Sequence, residues 1–355
     1  MWILQSPHSG DNTQLRALAT ALGWPTETKR IAYLRHEGVL RLFSRPTLAG
    51  VDLAKSSPLQ PPWPDLVLCS GRGAEAVSFW LRKHANPDLR IVFIGTPWAD
   101  LRRFDLVITT PQYRLPQAPN VLHNLLPVHD VTPARIAAEA ARWQARLAHL
   151  PRPFTAVLVG GRSGPYLFGP EAAARLGRQA SALARDEGGS LLVTTSARTG
   201  EAATAALSAA IDVPFEMFRW RHDATDNPLY AYLGLADRII VTADSISMLA
   251  EAVSTRKPVR LFDIEEGPFA MRAEEASEAR RIAWRGRDLE ATLFRLLINH
   301  APPRFSRDLR IVHRQLVAAG HARWLGDETV AAVADATPED GLARATARIR
   351  GLFGL

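Results

Sequence analysis

The chain has 355 residues, of which 47% are hydrophobic and 22% charged, and its mean hydropathy is −0.07. That balance belongs to a soluble globular protein and excludes disorder and collagen-like fibre. Single cores stop growing at roughly 250 to 300 residues, so the length predicts two domains.

The formal charge is +7, from 43 Lys and Arg against 36 Asp and Glu. Lysine occurs only at Lys29, Lys55, Lys83 and Lys257, so nearly all the positive charge is arginine, which favours fixed bidentate contacts to phosphate or carboxylate. The basic residues are scattered, with local pairs at Arg102-Arg103 and Arg280-Arg281, and form no block of the nucleic-acid type; nucleic acid is not an expected partner. A basic solvated surface is the plain account of the charge, and an anionic ligand or an anionic membrane surface is the functional one. The single cysteine, Cys69, closes an apolar run and reads as a buried small residue. It leaves no CxxC or Cys/His cluster for structural zinc. No apolar run reaches the roughly 18 residues of a membrane span, and the opening MWILQSP is short and lacks a basic leader, so the expectation is a cytoplasmic protein, at most peripheral to the inner face of the membrane.

In chain order, residues 2–4 read as a strand, 14–22 as a helix, 65–69 as a strand, 74–83 as a helix, and 90–94 and 106–108 as strands. Residues 133–147 read as a long helix ending at Pro151-Arg152-Pro153, which sets the expected domain boundary. The alternation then restarts, with strands at 155–159, 190–194, 215–220, 238–242 and 259–262. Helices fall between them at 170–187, 201–210, 226–234 and 247–254. Such alternation predicts parallel sheets with flanking helices. The expected organisation is an α/β protein of two Rossmann-like domains facing a cleft, 1–150 and 151–300. A helical tail, 301–355, follows, with a proline break at Pro302-Pro303 and a last helix over 342–352.

Three strand-end segments of the second half carry the functional signal. The first, TAVLVGGRSGPY, has Gly160, Gly161 and Gly164 with Arg162 and Ser163 among them, and its glycines allow backbone amides to approach a phosphate. It matches neither a Walker A loop nor a GxGxxG fingerprint, and a plain tight turn is the alternative. The second, VTADSISMLAEA, puts Asp244 and Ser245 at a strand end, Ser247 and Met248 at the start of a helix and Glu251 within it, where Glu251 can accept hydrogen bonds from a diol. The bland account is an N-cap followed by a surface glutamate. The third, TTSARTG, offers Ser196, Arg198 and Thr199. Together they describe a nucleotide-diphosphate pocket in which an arginine neutralises charge. No DxD-type carboxylate pair marks a metal site, and Asp263, Glu265 and Glu266 read as a solvated acidic cluster.

In the first half, SPHSGDNTQ and CSGRGAEA follow strands and precede helices. Gly10, Asn12, Gln14, Gly71 and Arg72 lie on these loops, which face the cleft from the opposite wall, with Arg72 between two glycines as an anion contact and His8 or Asp11 as the group of general-base type for an acceptor hydroxyl. A loop histidine without chemistry and an N-capping aspartate are the alternatives. His123, His129 and Asp130 lack the spacing of a metal pair and read as structural. Phe218-Arg219-Trp220 ends a strand candidate where a base could stack, or is simply a strand edge.

The segments GDNTQ, PDLVLCSGR, VLVGGRSGPY, LLVTTSART and ADRIIVTADSISMLAEA resemble the plant "elongated mitochondria" fission-factor family and its bacterial relatives, a glycosyltransferase-like family. They span most of residues 1–265. Ala197 departs from the pattern, since relatives tend to carry a second arginine in an SRRT-like run. The resemblance implies a GT-B-like fold with acceptor loops, here those of Gly10, Asn12, Gln14, Gly71 and Arg72, in the first domain, sugar-nucleotide loops in the second and a C-terminal helix crossing back to the first; Gly161, Ser163, Ser245 and Ser247 then meet phosphate and Glu251 meets ribose, without a metal or other cofactor. It further implies a glycosyltransferase moving a sugar from a nucleotide-diphosphate donor to a cell-envelope glycan or lipid-linked acceptor. A non-catalytic interaction protein at a membrane surface, as the fission-factor name suggests, and a sugar-nucleotide epimerase are the other readings.

Overall fold

The structure, a computed structural model, describes residues 1–34, 45–267, 270–272, 288–302, 307–327 and 340–355. The expectations at Arg280-Arg281 and Pro303 lie outside the described residues. The chain divides into two compact units, Met1–Asp130 with Glu339–Leu355, and Val131–Pro338.

The first unit runs β1 (Trp2–Gln5), α1 (Ser9–Leu22), β2 (Glu27–Arg30), β3 (Leu66–Ser70), α2 (Arg72–His84), β4 (Arg90–Ile94), β5 (Leu106–Thr109) and β6 (Val121–His123). These strands form a parallel sheet in the order β2-β1-β3-β4-β5-β6. The central strands LVLCS, RIVFI and LVIT are nearly continuous apolar runs because a parallel sheet covered on both faces buries successive side chains in opposite directions. Trp2, Leu4, Val67, Cys69, Ile91, Phe93 and Val107 accordingly pack in one core. Ile3, Leu66, Leu68, Val92, Ile94, Leu106 and Ile108 pack in the other, with Leu15, Leu18 and Leu22 of α1. Cys69 is fully buried, and burial pushes its thiol up to about 12, which suits a packing residue.

The second unit runs α3 (Pro133–Gln144), β7 (Phe154–Leu158), α4 (Pro170–Arg185), β8 (Ser190–Thr194), α5 (Glu201–Ala210), β9 (Phe215–Phe218), α6 (Leu229–Leu235), β10 (Arg238–Thr242), α7 (Ile246–Ser254), β11 (Val259–Phe262), α8 (Leu289–His300), α9 (Arg310–Ala318) and β12 (Arg323–Trp324). Its sheet is also parallel, in the order β12-β11-β10-β7-β8-β9. Each sheet is doubly wound. The order reverses between β7 and β10 in the second unit and between β1 and β3 in the first, and ligands of such sheets bind outside the strand carboxyl ends at that switch point.

The last helix, α10 (Gly341–Gly351), belongs to the first unit. Its Ala345 and Ile349 join the core beside α1, and Phe353 meets Trp24 edge-on with ring centroids 5.1 Å apart.

Four features differ from the sequence expectations. The division between units falls at Asp130, not at Pro151, because α3 packs on α6, where Gly234 admits Ile136 and Ala140 at a distance no Cβ would allow. Trp143 adds an edge-on contact to Tyr232, centroids 6.0 Å apart. Helix α1 begins at Ser9, five residues earlier than the apolar pattern suggested, so Gly10, Asp11, Asn12 and Gln14 are helical. Strand β2, ETKR, carries no apolar alternation. It is held by Lys29, whose buried stem lies along the sheet with its ammonium 4.2 Å from the Trp2 ring centroid and 2.9 Å from the Pro58 carbonyl. Finally, Asp263 and Glu265 are not solvated. The Asp263 carboxylate accepts the amides of Glu265, Met271 and Arg272 at 3.1, 2.8 and 3.0 Å. Glu265, 3% exposed, accepts the Leu167 amide at 2.9 Å.

Candidate functional site

Strands β10, β7 and β8 are neighbours, so the loops that follow them meet at the switch point of the second unit. The glycine loop is the hub. The Gly160 amide donates to Thr242 Oγ1 at 2.7 Å, and the Gly161 amide donates to Asp244 Oδ2 at 2.8 Å. The Gly160 carbonyl accepts from Ser196 Oγ at 2.8 Å and from the Thr199 hydroxyl. A Cβ on Gly160 would run into the Asp244 carboxylate, and one on Gly161 into the Arg198 carbonyl. The glycines are thus required by the approach of the neighbouring loops. Their two amides, expected from the sequence to cradle phosphate, are engaged within the protein.

Arg198 lies across this junction. Its Nη1 is 2.8 Å from Asp244 Oδ2 and 2.9 Å from the Arg162 carbonyl, while the guanidinium stays partly exposed. Arg162 pairs with Asp288 and Glu290 at 2.9 and 2.8 Å. The Asp244 side chain is wholly buried, and that burial raises its pKa, opposed by Arg198 and by the Gly161 amide. Ser163 donates its amide to the Tyr166 carbonyl at 3.0 Å, closing the loop on itself.

Helix α7 opens at the same edge. Ser245, buried, occupies its N-cap position without a side-chain capping bond. Ser247, Met248 and Glu251 follow at spacings of three and four that place them on one side of the helix. Ser247 and Met248 are half-buried, and Glu251, at 8% exposure, is a buried carboxylate and not the surface glutamate of the bland account. All twelve residues expected to meet a nucleotide sugar therefore lie on three adjacent loops and the helix that continues one of them. Sequence reasoning missed Thr242 and Thr195. Thr195 Oγ1 accepts the amide of Trp220, a half-exposed ring beside the same edge, at 2.9 Å. Threonine at a strand end, where its hydroxyl can tie a neighbouring loop, was the available signal.

The first unit has a comparable junction between β1 and β3. Asp11 Oδ2 accepts from Ser6 Oγ at 2.9 Å and Ser70 Oγ at 2.8 Å, so one carboxylate ties the two strand ends across the switch point. Asn12 brackets the Ser6 backbone, accepting its amide and donating to its carbonyl, each at 2.8 Å. His8 is exposed, and Gly10 and Gln14 are half-buried on α1. Gly71, at φ 84°, is the N-cap of α2. Arg72 stacks on Trp98, 3.2 Å from the ring centroid, and Glu75, fully buried, accepts the Trp98 and Ala99 amides at 2.7 and 3.0 Å. His123 is the last residue of β6, and His129 follows that strand in the chain. Burial lowers the His129 pKa.

Among the described residues no group of three or more His, Cys, Asp or Glu is placed to hold a metal ion, and no helix is long and apolar enough to cross a membrane.

These features define an α/β protein of two Rossmann-like units, each with a polar constellation at the switch point of its sheet. A family model described as "Mitochondrial fission ELM1" matches residues 9–281, and the chain belongs to that family. The mitochondrial fission protein ELM1 of Arabidopsis thaliana is 26% identical over 232 residues, 59% of this chain and 53% of that protein, so the match spans about half of the plant relative. The uncharacterised protein RP120 of Rickettsia prowazekii is 23% identical over 295 residues, 74% of this chain and 82% of its own length. Among solved structures, the E. coli ADP-heptose LPS heptosyltransferase II is similar with a TM-score of 0.43 and 14% identity, over 99% of this chain and 98% of that one. The Neisseria meningitidis UDP-GlcNAc 2-epimerase has a TM-score of 0.42 and 12% identity, over 90% and 100%. MurG of Acinetobacter baumannii has 0.41 and 13%, over 99% and 91%.

Proposed function

We propose that this protein is a metal-independent glycosyltransferase that takes a sugar from a nucleotide-diphosphate donor and passes it to a cell-envelope glycan or lipid-linked acceptor. The observation that carries the reading is the convergence of the β7, β8 and β10 loops on Gly160, with Arg198 lying over them and Glu251 buried on the helix that follows. In a doubly wound sheet this is the edge where a diphosphate and a ribose are held. Arg198 and the first amides of α7 offset charge that develops on the leaving diphosphate, and Glu251 accepts from the ribose hydroxyls. In the first unit Asp11 is the favoured base, because two serine hydroxyls fix it at the switch point, whereas His8 is exposed. Gly10, Asn12, Gln14, Gly71 and Arg72 make the acceptor side of the same unit.

The test is a thermal-shift screen against UDP-, GDP-, ADP- and CMP-linked sugars and free nucleotides, with and without magnesium. A ligand at about 100 times its dissociation constant adds roughly 2.7 kcal/mol. The reading expects a shift with one nucleotide, unchanged by magnesium and lost in Glu251→Ala.

A second reading, an interaction protein at a membrane surface, is favoured by one observation. Helix α8 exposes Leu289 and Leu293 at 75% and 56%, spaced four residues apart on one face. No shift with any nucleotide, together with sedimentation on anionic vesicles, is the result that reading expects.

A further inference from the structure

The β7 loop is built as an anion cradle, and a group of the chain itself occupies it. Two donors converge on Asp244 Oδ2, the Gly161 amide at 2.8 Å and Arg198 Nη1 at 2.8 Å. A backbone amide beside a guanidinium is the donor set that a phosphoryl oxygen takes. The carboxylate reaches it only because Gly160 has no Cβ.

The occupancy is imperfect. Asp244 is wholly buried, the Thr242 hydroxyl lies beside its carboxyl, and its other oxygen, Oδ1, meets no hydrogen-bond partner at bonding distance among the described residues. An ionised carboxylate buried with one oxygen unsatisfied is costly, and the raised pKa of Asp244 records that cost. Among the described residues Arg198 is the charged group that faces Asp244, and the fully buried ring of His313, from α9, lies against the neighbouring Ala243 carbonyl. Arg162 contributes its carbonyl to Arg198 while its own guanidinium is engaged by Asp288 and Glu290.

We propose that Asp244 is a built-in competitor for the donor's diphosphate: a phosphoryl oxygen of the ligand takes the Gly161 amide and the Arg198 guanidinium in place of Asp244 Oδ2, and the displaced carboxyl binds a proton. The inference rests on the reading of the second unit as a nucleotide-diphosphate site, and it reverses the sign expected of a site residue. Most substitutions in a binding site weaken binding; this one strengthens it. The carboxylate keeps the loop ordered in the free protein and sets a threshold of affinity that the ligand must exceed.

The experiment is calorimetric titration of the full chain and of Asp244→Asn with inorganic pyrophosphate, which carries the diphosphate chemistry without base or sugar. Removing a full charge from the guanidinium's partner is expected to tighten pyrophosphate binding about tenfold or more. Wild-type or weaker affinity in a folded Asp244→Asn overturns the proposal. Wild-type protein supplies a second arm that no folding defect can obscure, titration with sulfate at pH 7 in two buffers of different ionisation enthalpy. Sulfate does not titrate there, so net proton uptake on binding supports displacement of Asp244, and binding without uptake overturns it. Nucleotide-sugar binding that persists while both arms fail removes the competition alone. If pyrophosphate, sulfate and nucleotide sugars all fail to bind, the donor-site reading falls with it.

Discussion

The Asp244 carboxylate sits 2.8 Å from the Gly161 amide, closing a bridge from the end of β10 to the end of β7 across the point where the strand order of the second sheet reverses. The bridge explains the Gly160-Gly161 pair by contact: the first glycine clears the carboxylate, and the second clears the Arg198 backbone. A replacement at either position is therefore a packing change before it is a change in ligand binding.

Gly160→Ala is expected to lose about 1 to 3 kcal/mol of stability, the usual cost of forcing an atom into a filled site. Urea unfolding measures the loss. An unchanged midpoint would mean that the loop relaxes freely and that the Asp244 contact is not fixed.

Glu75 makes a parallel prediction for the first unit. Its buried carboxylate takes both the Trp98 and Ala99 amides, which pins the loop carrying the ring on which Arg72 stacks. Glu75→Gln turns one acceptor oxygen into a donor that faces an N–H, so it should cost about 2 kcal/mol. It should also free Trp98, read as a change in tryptophan fluorescence.

Ile349 tests the return of the last helix to the first unit. It is fully buried in the α1 core although it lies beyond residue 338, where the second unit ends. Ile349→Ala should cost about 3 kcal/mol. Hydrogen exchange should show the loss in α1 and β1 and leave β7 and β8 protected.

The stability of the second unit should depend on pH through His313. The ring is fully buried against Trp324, centroids 5.5 Å apart, and burial pushes its pKa down to about 4 from an unfolded value of 6.5. The native state resists the proton that the unfolded chain accepts, so stability rises with pH across that window and falls as pH drops from 6.5 toward 4. A shift of this size is worth on the order of 3 kcal/mol. His313→Leu should flatten the dependence between pH 4 and 6.5, as measured by urea unfolding at several pH values.

The doubly wound pattern was legible in the sequence because central parallel strands are short apolar runs, and LVLCS, RIVFI, FTAVL and RIIVT announce themselves. Strand β2 did not, because ETKR is held at the sheet edge by the stem of one lysine, a contact without periodicity. The start of α1 was hidden for a related reason: Gly10, Asp11 and Asn12 are poor helix formers, and Asp11 and Asn12 are held there by side-chain bonds to Ser6 and Ser70 that no local propensity encodes. In the candidate site, the three loops could be read from strand ends rich in Gly, Ser, Thr and Arg, and their adjacency follows from the strand order. What those loops do to one another could not be read. The sequence offers the same glycine pair whether its amides face a ligand or a buried aspartate 83 residues away, and only the fold decides.

The proposed function turns on a nucleotide sugar binding at the carboxyl edge of the second sheet. The most direct measurement is photo-crosslinking with an azido-substituted nucleotide sugar of the type selected by thermal shift, followed by mapping of the labelled peptides. Labels confined to residues 157–166, 194–199, 218–222 and 241–252, and competed away by the unmodified nucleotide sugar, are the predicted result. Saturable labelling at other residues, or labelling at those segments that the unmodified ligand does not compete, would contradict the account.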